Sequence, residues 1–218
     1  GLLGALGAVG LWSPLAGCAA TGGDRMTDVD AVAALSRLPE FGVHTRWYSF
    51  ENPTGAVGGG GQANRGAKGR AFEAVAPGET KVLADIDGSG TVRRIWMTLS
   101  DRSPRMLRAL RVDMTWDGAQ APAVSAPLGD FFGATLGRMV PFEGALFTSP
   151  EGRSLVAQVP MPFRTGARIT VTNEGDAPLE QLFYDVAVTV GERHGDNAGY
   201  LHAFWHRVAR TELGVDFE

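Results

Sequence analysis

Cysteine is almost missing: Cys18 is the only one among 218 residues. A lone thiol closes no internal disulfide, which excludes a stapled scaffold and any multi-cysteine zinc site. Positive charge is short as well. Lys and Arg number 20 against 24 Asp and Glu, leaving a net charge of −4 and a pI near 5.6. No basic surface is offered to nucleic acid. Long apolar runs are lacking too. Gly1 to Gly23 carries no charge, yet its leucine-rich part ends at Leu15, short of the ~20 residues of a comfortable membrane span. What is plentiful is glycine, 30 residues, about twice the usual share of ~7%. Such a chain turns often, which favours many short strands over long helices. With 44% hydrophobic residues and 20% charged, it can bury a core and does not read as disordered.

The uncharged start resembles a bacterial lipoprotein signal. It ends in Leu15-Ala16-Gly17-Cys18 and continues as Ala19-Ala20-Thr21-Gly22-Gly23. Small residues suit a signal peptidase, the thiol takes the lipid, and a small-residue tether follows. The other reading is a buried helix with an ordinary cysteine. On the first reading, residues 1–17 are a signal peptide, Cys18 is lipidated, 18–26 are a tether, and the protein is anchored in the cell envelope. Ala19 points to the outer membrane. A short amphipathic helix is expected over Thr27 to Leu38, capped by Thr27 and ended by Pro39.

Beyond it the period changes from helical to alternating. Strands are expected at 45–50, 71–76, 81–86, 92–99, 110–116, 123–127, 146–147, 155–159, 168–172 and 182–190, with one helical turn at 104–107. Gly- and Asp-rich turns separate them, as at Asp87-Gly88-Ser89-Gly90 and Asp117-Gly118. This spacing indicates an all-β fold, a β-sandwich or jelly roll, filling residues 27–218.

Four segments are richer in polar and aromatic side chains than packing requires. The first runs from Ser49 through Gly58-Gly59-Gly60-Gly61 to Gly69. Glycine lets backbone approach a ligand or a neighbour closely. Gln62, Asn64, Arg65 and Lys68 then offer donors to sugar hydroxyls or to a carboxylate, or else belong to a flexible surface loop. The loop lacks the Gly-Lys-Ser/Thr ending of a phosphate cradle, so nucleotide binding is set aside. In the second, Asp130 stands beside Phe131 and Phe132 between Gly129 and Gly133. This is either a sugar platform, or Phe131 or Phe132 is core and Asp130 caps a turn. In the third, Pro160 and Pro162 exclude a central strand and suggest an edge. The fourth, Tyr200 to Arg207, holds Trp205 and two histidines four apart. It lacks the glutamate of a metalloprotease helix and alternates as a strand would. Glycoside hydrolysis needs two carboxyl groups about 5–9.5 Å apart. Glu51, Asp130 and Glu143 are the acids considered for it. Gly-x-Ser-x-Gly is absent. No metal or other cofactor is expected.

In order along the chain, Glu51-Asn52-Pro53-Thr54-Gly55 and its glycine-rich loop, Pro77-Gly78-Glu79-Thr80, Ile95-Trp96-Met97-Thr98, Trp116-Asp117-Gly118, Pro127 to Gly133, Pro160-Met161-Pro162-Phe163, Ile169 to Glu174 and Tyr200 to Trp205 resemble glycoside hydrolase family 172, once known as domain of unknown function 2961. The resemblance implies two jelly rolls per chain, assembly as trimers or their multiples, and retaining cleavage of furanosides such as fructofuranoside or D-arabinofuranoside linkages. It implies two catalytic glutamates in motifs of the second jelly roll. Neither motif occurs up to Glu218, so the expectation is an N-terminal fragment with no catalytic residue of its own. Glu51, Asn52, Gln62, Asn64, Arg65, Asp130 and Trp205 are the expected substrate-binding rim. The expected partners are an oligo- or polysaccharide with furanose residues, a membrane reached through the lipid, and copies of the same chain. The alternative is a non-catalytic carbohydrate-binding or assembly domain.

Overall fold

The structure is a computed structural model that describes residues 38–67 and 69–214. Cys18, the tether and the expected helix up to residue 37 lie outside them, as does Lys68. Among the described residues twelve strands form two sheets. The strands are β1 (His44–Tyr48), β2 (Glu73–Val75), β3 (Thr80–Asp87), β4 (Gly90–Leu99), β5 (Leu110–Trp116), β6 (Val124–Pro127), β7 (Phe147–Thr148), β8 (Ser154–Ala157), β9 (Met161–Phe163), β10 (Gly166–Asn173), β11 (Leu179–Val190) and β12 (Ala203–Phe204). The first sheet runs β1-β11-β4-β8-β7, with β2 added to β11 and β9 to β4. The second runs β12-β6-β5-β10-β3. Every pairing is antiparallel except β12 on β6. The expected all-β sandwich is what forms.

Alternation explains which side chains meet between the sheets. Leu110, Val112, Met114 and Trp116 of β5 point inward, as do Ala167, Ile169 and Val171 of β10. Ile95, Met97 and Leu99 of β4 and Leu182, Tyr184 and Val186 of β11 belong to the same core. Period two puts alternate residues on one face. The polar positions of β5 and β6, Arg111, Asp113 and Ser125, therefore share the outer face of the second sheet. In the register of the pair, Asp113 stands opposite Ser125 and Arg111 opposite Pro127. Along β3 the alternation slips. Leu83 and Ala84 are both buried, and the register with β10 shifts there by one residue, a β-bulge.

Two short helices connect the layers. In α1 (Pro104–Ala109), Ser103 is the N-cap and its hydroxyl accepts the Met106 N–H, while Pro104 occupies the first turn, where its missing N–H costs nothing. Met106 and Leu107 go to the core, and Arg108 ends on the outside. Residues 128–131, where no helix is expected, make one helical turn, α2 (Leu128–Phe131). It lies against α1 because Gly129 has no side chain: a Cβ there would stand 2.9 Å from that of Leu107. β9 pairs on one side only, with Gly90–Val92 of β4, the edge expected of Pro162 within it and Pro160 just before it.

Candidate functional site

The seven expected rim residues fall into two groups on different sheets. Glu51, Asn52, Gln62, Asn64 and Arg65 lie on the loop between β1 and β2. Asp130 and Trp205 lie beside β6. No hydrogen bond, ion pair or ring contact links the two groups among the described residues.

On the first group's loop, the side chains serve the loop itself. The Asn52 amide donates to the carbonyls of Trp47 and Ala56 at 3.1 and 3.0 Å, and its oxygen accepts the Ala56 N–H at 3.1 Å. A Cβ at Gly59 would stand 2.4 Å from that oxygen. The glycines thus let the backbone close on Asn52, a neighbour in the chain. Gln62 donates to the Gly58 carbonyl, and Glu51 accepts the Arg70 N–H at 3.3 Å. Asn64 and Arg65 form one 3₁₀ turn in which both have left-handed φ, 50° and 56°. Both are exposed.

Of the second group, Trp205 lines a cleft of about 340 Å³ on the outer face of the second sheet, and Asp130 lies behind its lining residue Arg108. Ligand clefts span roughly 300–1,000 Å³, so this one has room for a small ring. Ser125 and Pro127 of β6 and Arg111 of β5 form its floor. Arg108 of α1, Glu174 after β10, and Trp205 and Arg207 after β12 form its walls. The C-terminal stretch reaches it because β12 runs parallel to β6, Ala203 opposite Val124 and Phe204 opposite Ser125. Glu174 is placed by the buried Asn173, whose amide donates to the carbonyls of Val75 and Ala177 at 3.0 and 2.9 Å and accepts the Gly175 N–H at 3.0 Å. The Glu174 N–H donates to the Ala109 carbonyl at the end of α1.

Arg108 is central. Its Nε and Nη2 hold the two oxygens of Asp130 at 2.5 and 3.0 Å, and Nη2 also donates to the Thr135 carbonyl at 2.9 Å. Its guanidinium lies over an indole, 5.3 Å from the Trp205 ring centre, within cation–π range. Burial pushes the Asp130 carboxyl above its ordinary pKa, and Arg108 opposes that rise. On the floor, Arg111 Nε spans both oxygens of Asp113 at 3.1 and 2.8 Å, and its Nη1 binds Glu174. Ser125 Oγ donates to Asp113 at 2.7 Å. Each carboxylate in or under the cleft is therefore held by an arginine. The arrangement can bind, through an indole face and guanidinium donors.

Of the aromatic pair beside Asp130, Phe132 is fully buried and Phe131 packs edge-on against Phe132 and Phe147. Phe132 is core and Phe131 is partly buried against it, which corrects the platform reading of these two. Arg108, Arg111, Ser125, Glu174 and Arg207 are not among the expected rim residues. The available signal is the polar phase of β5 and β6, where Arg111, Asp113 and Ser125 alternate with buried residues.

A second aromatic–arginine–acid cluster lies nearby on the chain. Asp117 and Gly118 both have positive φ, 54° and 70°, and the Ala119 N–H closes on the Trp116 carbonyl at 3.1 Å, a type I′ turn suited to Asp-Gly. Asp117 Oδ1 accepts the N–H groups of Arg164, Thr165 and Gly166 at 2.9, 2.7 and 3.1 Å, and Oδ2 accepts the Tyr200 hydroxyl at 2.5 Å. Arg164 lies 4.9 Å over the Tyr200 ring and donates to the carbonyls of Gly195 and Ala198. Trp116 Nε1 donates to the Leu201 carbonyl at 2.8 Å. Burial raises the Asp117 pKa, but these hydrogen bonds outweigh it and hold the carboxyl at about 2. Segments around Trp116, Phe163 and Tyr200 meet here, and they meet as a clasp.

Comparison with known proteins adds a family. The one described as GH172 domain-like matches residues 68–186. That span contains both sheets' central strands, the floor of the cleft and Asp130. No curated protein matches. Among solved structures, a serine protease of Aeromonas sobria in complex with its chaperone ORF2 is 13% identical, covering 76% of this chain and 30% of that one, with a TM-score of 0.28. The protease from the same organism without the chaperone is 12% identical over 73% of this chain and 29% of that one, with a TM-score of 0.27. The chain thus spans about 30% of the length of these structures, and at such TM-scores the overlap carries no argument.

Proposed function

Because the chain belongs to the GH172 domain-like family, we propose that it serves a glycoside hydrolase acting on furanosides, with fructofuranoside or D-arabinofuranoside linkages as substrates. In this reading the protein is exported, anchored in the cell envelope through a lipid on Cys18, and works as a homotrimer or a multiple of one. Cleavage with retention takes two glutamates. One attacks the anomeric carbon; the other protonates the leaving oxygen and then activates water. Neither role is assigned to a residue of this chain. Its own part is to hold sugar in the cleft, with Trp205 stacked on the ring and Arg108, steadied by Asp130, donating to hydroxyls. The family match is the observation that carries the reading.

A second reading is favoured by the ion pairs on Arg108 and Arg111. With every carboxylate of the cleft tied to a guanidinium, the domain suits binding without cleavage. One pair of measurements separates the two. The chain is titrated calorimetrically with methyl D-arabinofuranoside and methyl fructofuranoside, and the release of nitrophenol from nitrophenyl furanosides is followed. Binding that weakens about tenfold in Trp205→Ala supports the cleft, at the scale of one lost stacking partner. Binding to this chain supports the cleft under either reading; release by a protein that carries this domain together with the two glutamates supports the hydrolase, its failure to release supports the second reading, and the absence of both binding and release overturns both.

A further inference from the structure

The same cleft carries a charge pattern that a neutral sugar does not need. Three guanidiniums, of Arg108, Arg111 and Arg207, face it with one lining carboxylate, Glu174, in a chain whose net charge is −4. Two of the carboxylates that neutralise the first two, Asp130 and Asp113, lie beneath them. The side chains of Asp130 and Asp113 are 10% and 16% exposed, whereas those of Arg108 and Arg111 are each 37% exposed. These two pairs turn their positive ends toward the opening, while Glu174, the second partner of Arg111, is 49% exposed beside it. Arg207 is exposed and enters no ion pair among the described residues.

Hydrogen-bond capacity is equally one-sided. A guanidinium has five N–H donors and no acceptor. Arg108 spends Nη2 on Asp130 and Thr135 and sets Nε in ion-pair contact with Asp130, and Arg111 spends Nε and Nη1 on Asp113 and Glu174. Nη1 of Arg108 and Nη2 of Arg111 keep donors for a ligand. Acceptors are fewer: Asp113 is held by Arg111 and Ser125, and Arg111 takes one of the two oxygens of Glu174. A neutral sugar hydroxyl both donates and accepts, so it meets this surface at a disadvantage. An oxyanion only accepts, and it gains charge-assisted bonds that are about twice as strong as neutral ones. Beside it, Trp205 is 36% exposed and offers a ring-stacking surface.

We propose, resting on the carbohydrate reading above, that the cleft selects a sugar carrying an oxyanion substituent, a carboxylate or a phosphate ester. The ring stacks on Trp205, and the oxyanion lies among Arg108, Arg111 and Arg207. The proposal concerns binding alone; no bond is made or broken.

Calorimetry on the full chain tests it with matched pairs. The carboxylate arm is methyl glucuronide against methyl glucoside, and the phosphate arm is D-arabinose 5-phosphate against D-arabinose. The anionic member of at least one pair is expected to bind about tenfold tighter, the scale of one added charge-assisted hydrogen bond. That preference shrinks as salt rises, disappears in Arg207→Ala, and persists in part in Arg207→Lys. Arg168→Ala, which removes an arginine paired with Asp85 on the same sheet, leaves the preference intact and controls for net charge. Equal affinities within both pairs, with neutral-sugar binding still dependent on Trp205, overturn the proposal and leave the carbohydrate reading standing. Acetate or inorganic phosphate binding as tightly as the sugar derivatives overturns the ring's role. Failure of every sugar to bind brings down the carbohydrate reading, and the proposal with it.

Discussion

Two places in this domain unite an arginine, an aromatic ring and an aspartate, and they do opposite work. In the clasp, Arg164 covers Tyr200 at 4.9 Å and Asp117 takes four hydrogen bonds. In the cleft, Arg108 covers Trp205 at 5.3 Å and binds Asp130. The residue types barely differ; the remaining capacity does. The clasp's acid is satisfied by three backbone N–H groups and a phenol, and its arginine donates to two carbonyls of the same chain. The cleft's arginines keep donors, and about 340 Å³ of space lies in front of them. Residue chemistry alone therefore does not separate a binding site from a structural tie. Unspent hydrogen-bond capacity next to open volume does.

The sharpest way to break this contrast is at Asp117. Asp117→Ala leaves three backbone N–H groups without an acceptor and places a Cβ-bearing residue without a polar side chain at positive φ. A loss of about 4 kcal/mol is expected, from unsatisfied donors and the left-handed backbone together. Asp117→Asn keeps one acceptor and a residue type that tolerates this conformation, and should cost about half as much. Urea unfolding midpoints measure both. Sugar affinity of whatever remains folded should be unchanged, since Asp117 does not line the cleft. An Asp117→Ala protein as stable as the parent would dissolve the distinction between tie and site.

How far the sequence foretells these two places depends on the range of the interactions. Local pattern is readable. The alternation of Leu110–Trp116 matches β5 residue for residue, Asp117-Gly118 is the turn its φ values require, and the prolines around Met161 mark an edge strand. The helix within Pro127–Gly133 is not legible, because a single helical turn is too short to show a period. Phe132 cannot be told from a surface ring until α2 is seen against α1. Asp130 and Trp205 stand out by their chemistry, and the structure places them beside one cleft. Arg108, Arg111, Glu174 and Arg207 do not stand out, because the cleft joins outward positions of segments far apart in the chain. Only the β5–β6 register and the parallel docking of β12 bring them together. The five loop residues from Glu51 to Arg65 show the converse. In sequence their polar groups look ligand-facing, yet those of Asn52 and Gln62 bind their own loop backbone.

Acid gives a smaller and reversible probe. An unfolded aspartate titrates near 3.9, whereas the clasp holds Asp117 at about 2. A carboxyl whose pKa is depressed by folding stabilises the fold fully above the unfolded value, and that contribution is lost as pH falls through the folded one. The clasp's share should therefore be intact above about pH 5 and fade between about pH 4 and pH 2. Asp117 is half-buried, so solvent screening reduces the amount to about 1 kcal/mol. Unfolding free energies of the parent and Asp117→Asn, compared from about pH 5 down to about pH 2.5, should converge as the proton binds. A gap that stays constant with pH would remove the charge of Asp117 from the account.

The least effect on stability is expected at Trp205, which makes it the other pole of the comparison. Trp205 is 36% exposed, and among the described residues its ring contact is the Arg108 guanidinium, worth about 0.5 kcal/mol at such a site. Trp205→Ala should lower the thermal midpoint by only a degree or two, on the scale of about 4–8 °C per kcal/mol for small domains and less for larger ones. Arg108 keeps Asp130, so the floor and walls of the cleft remain. If the indole is instead a structural pin like Tyr200, its removal would cost as much as breaking the Tyr200–Asp117 hydrogen bond, about 1–2 kcal/mol, and Tyr200→Phe supplies that yardstick in the same assay. A Trp205→Ala protein that loses sugar but hardly any stability is what a residue kept free for a ligand must show.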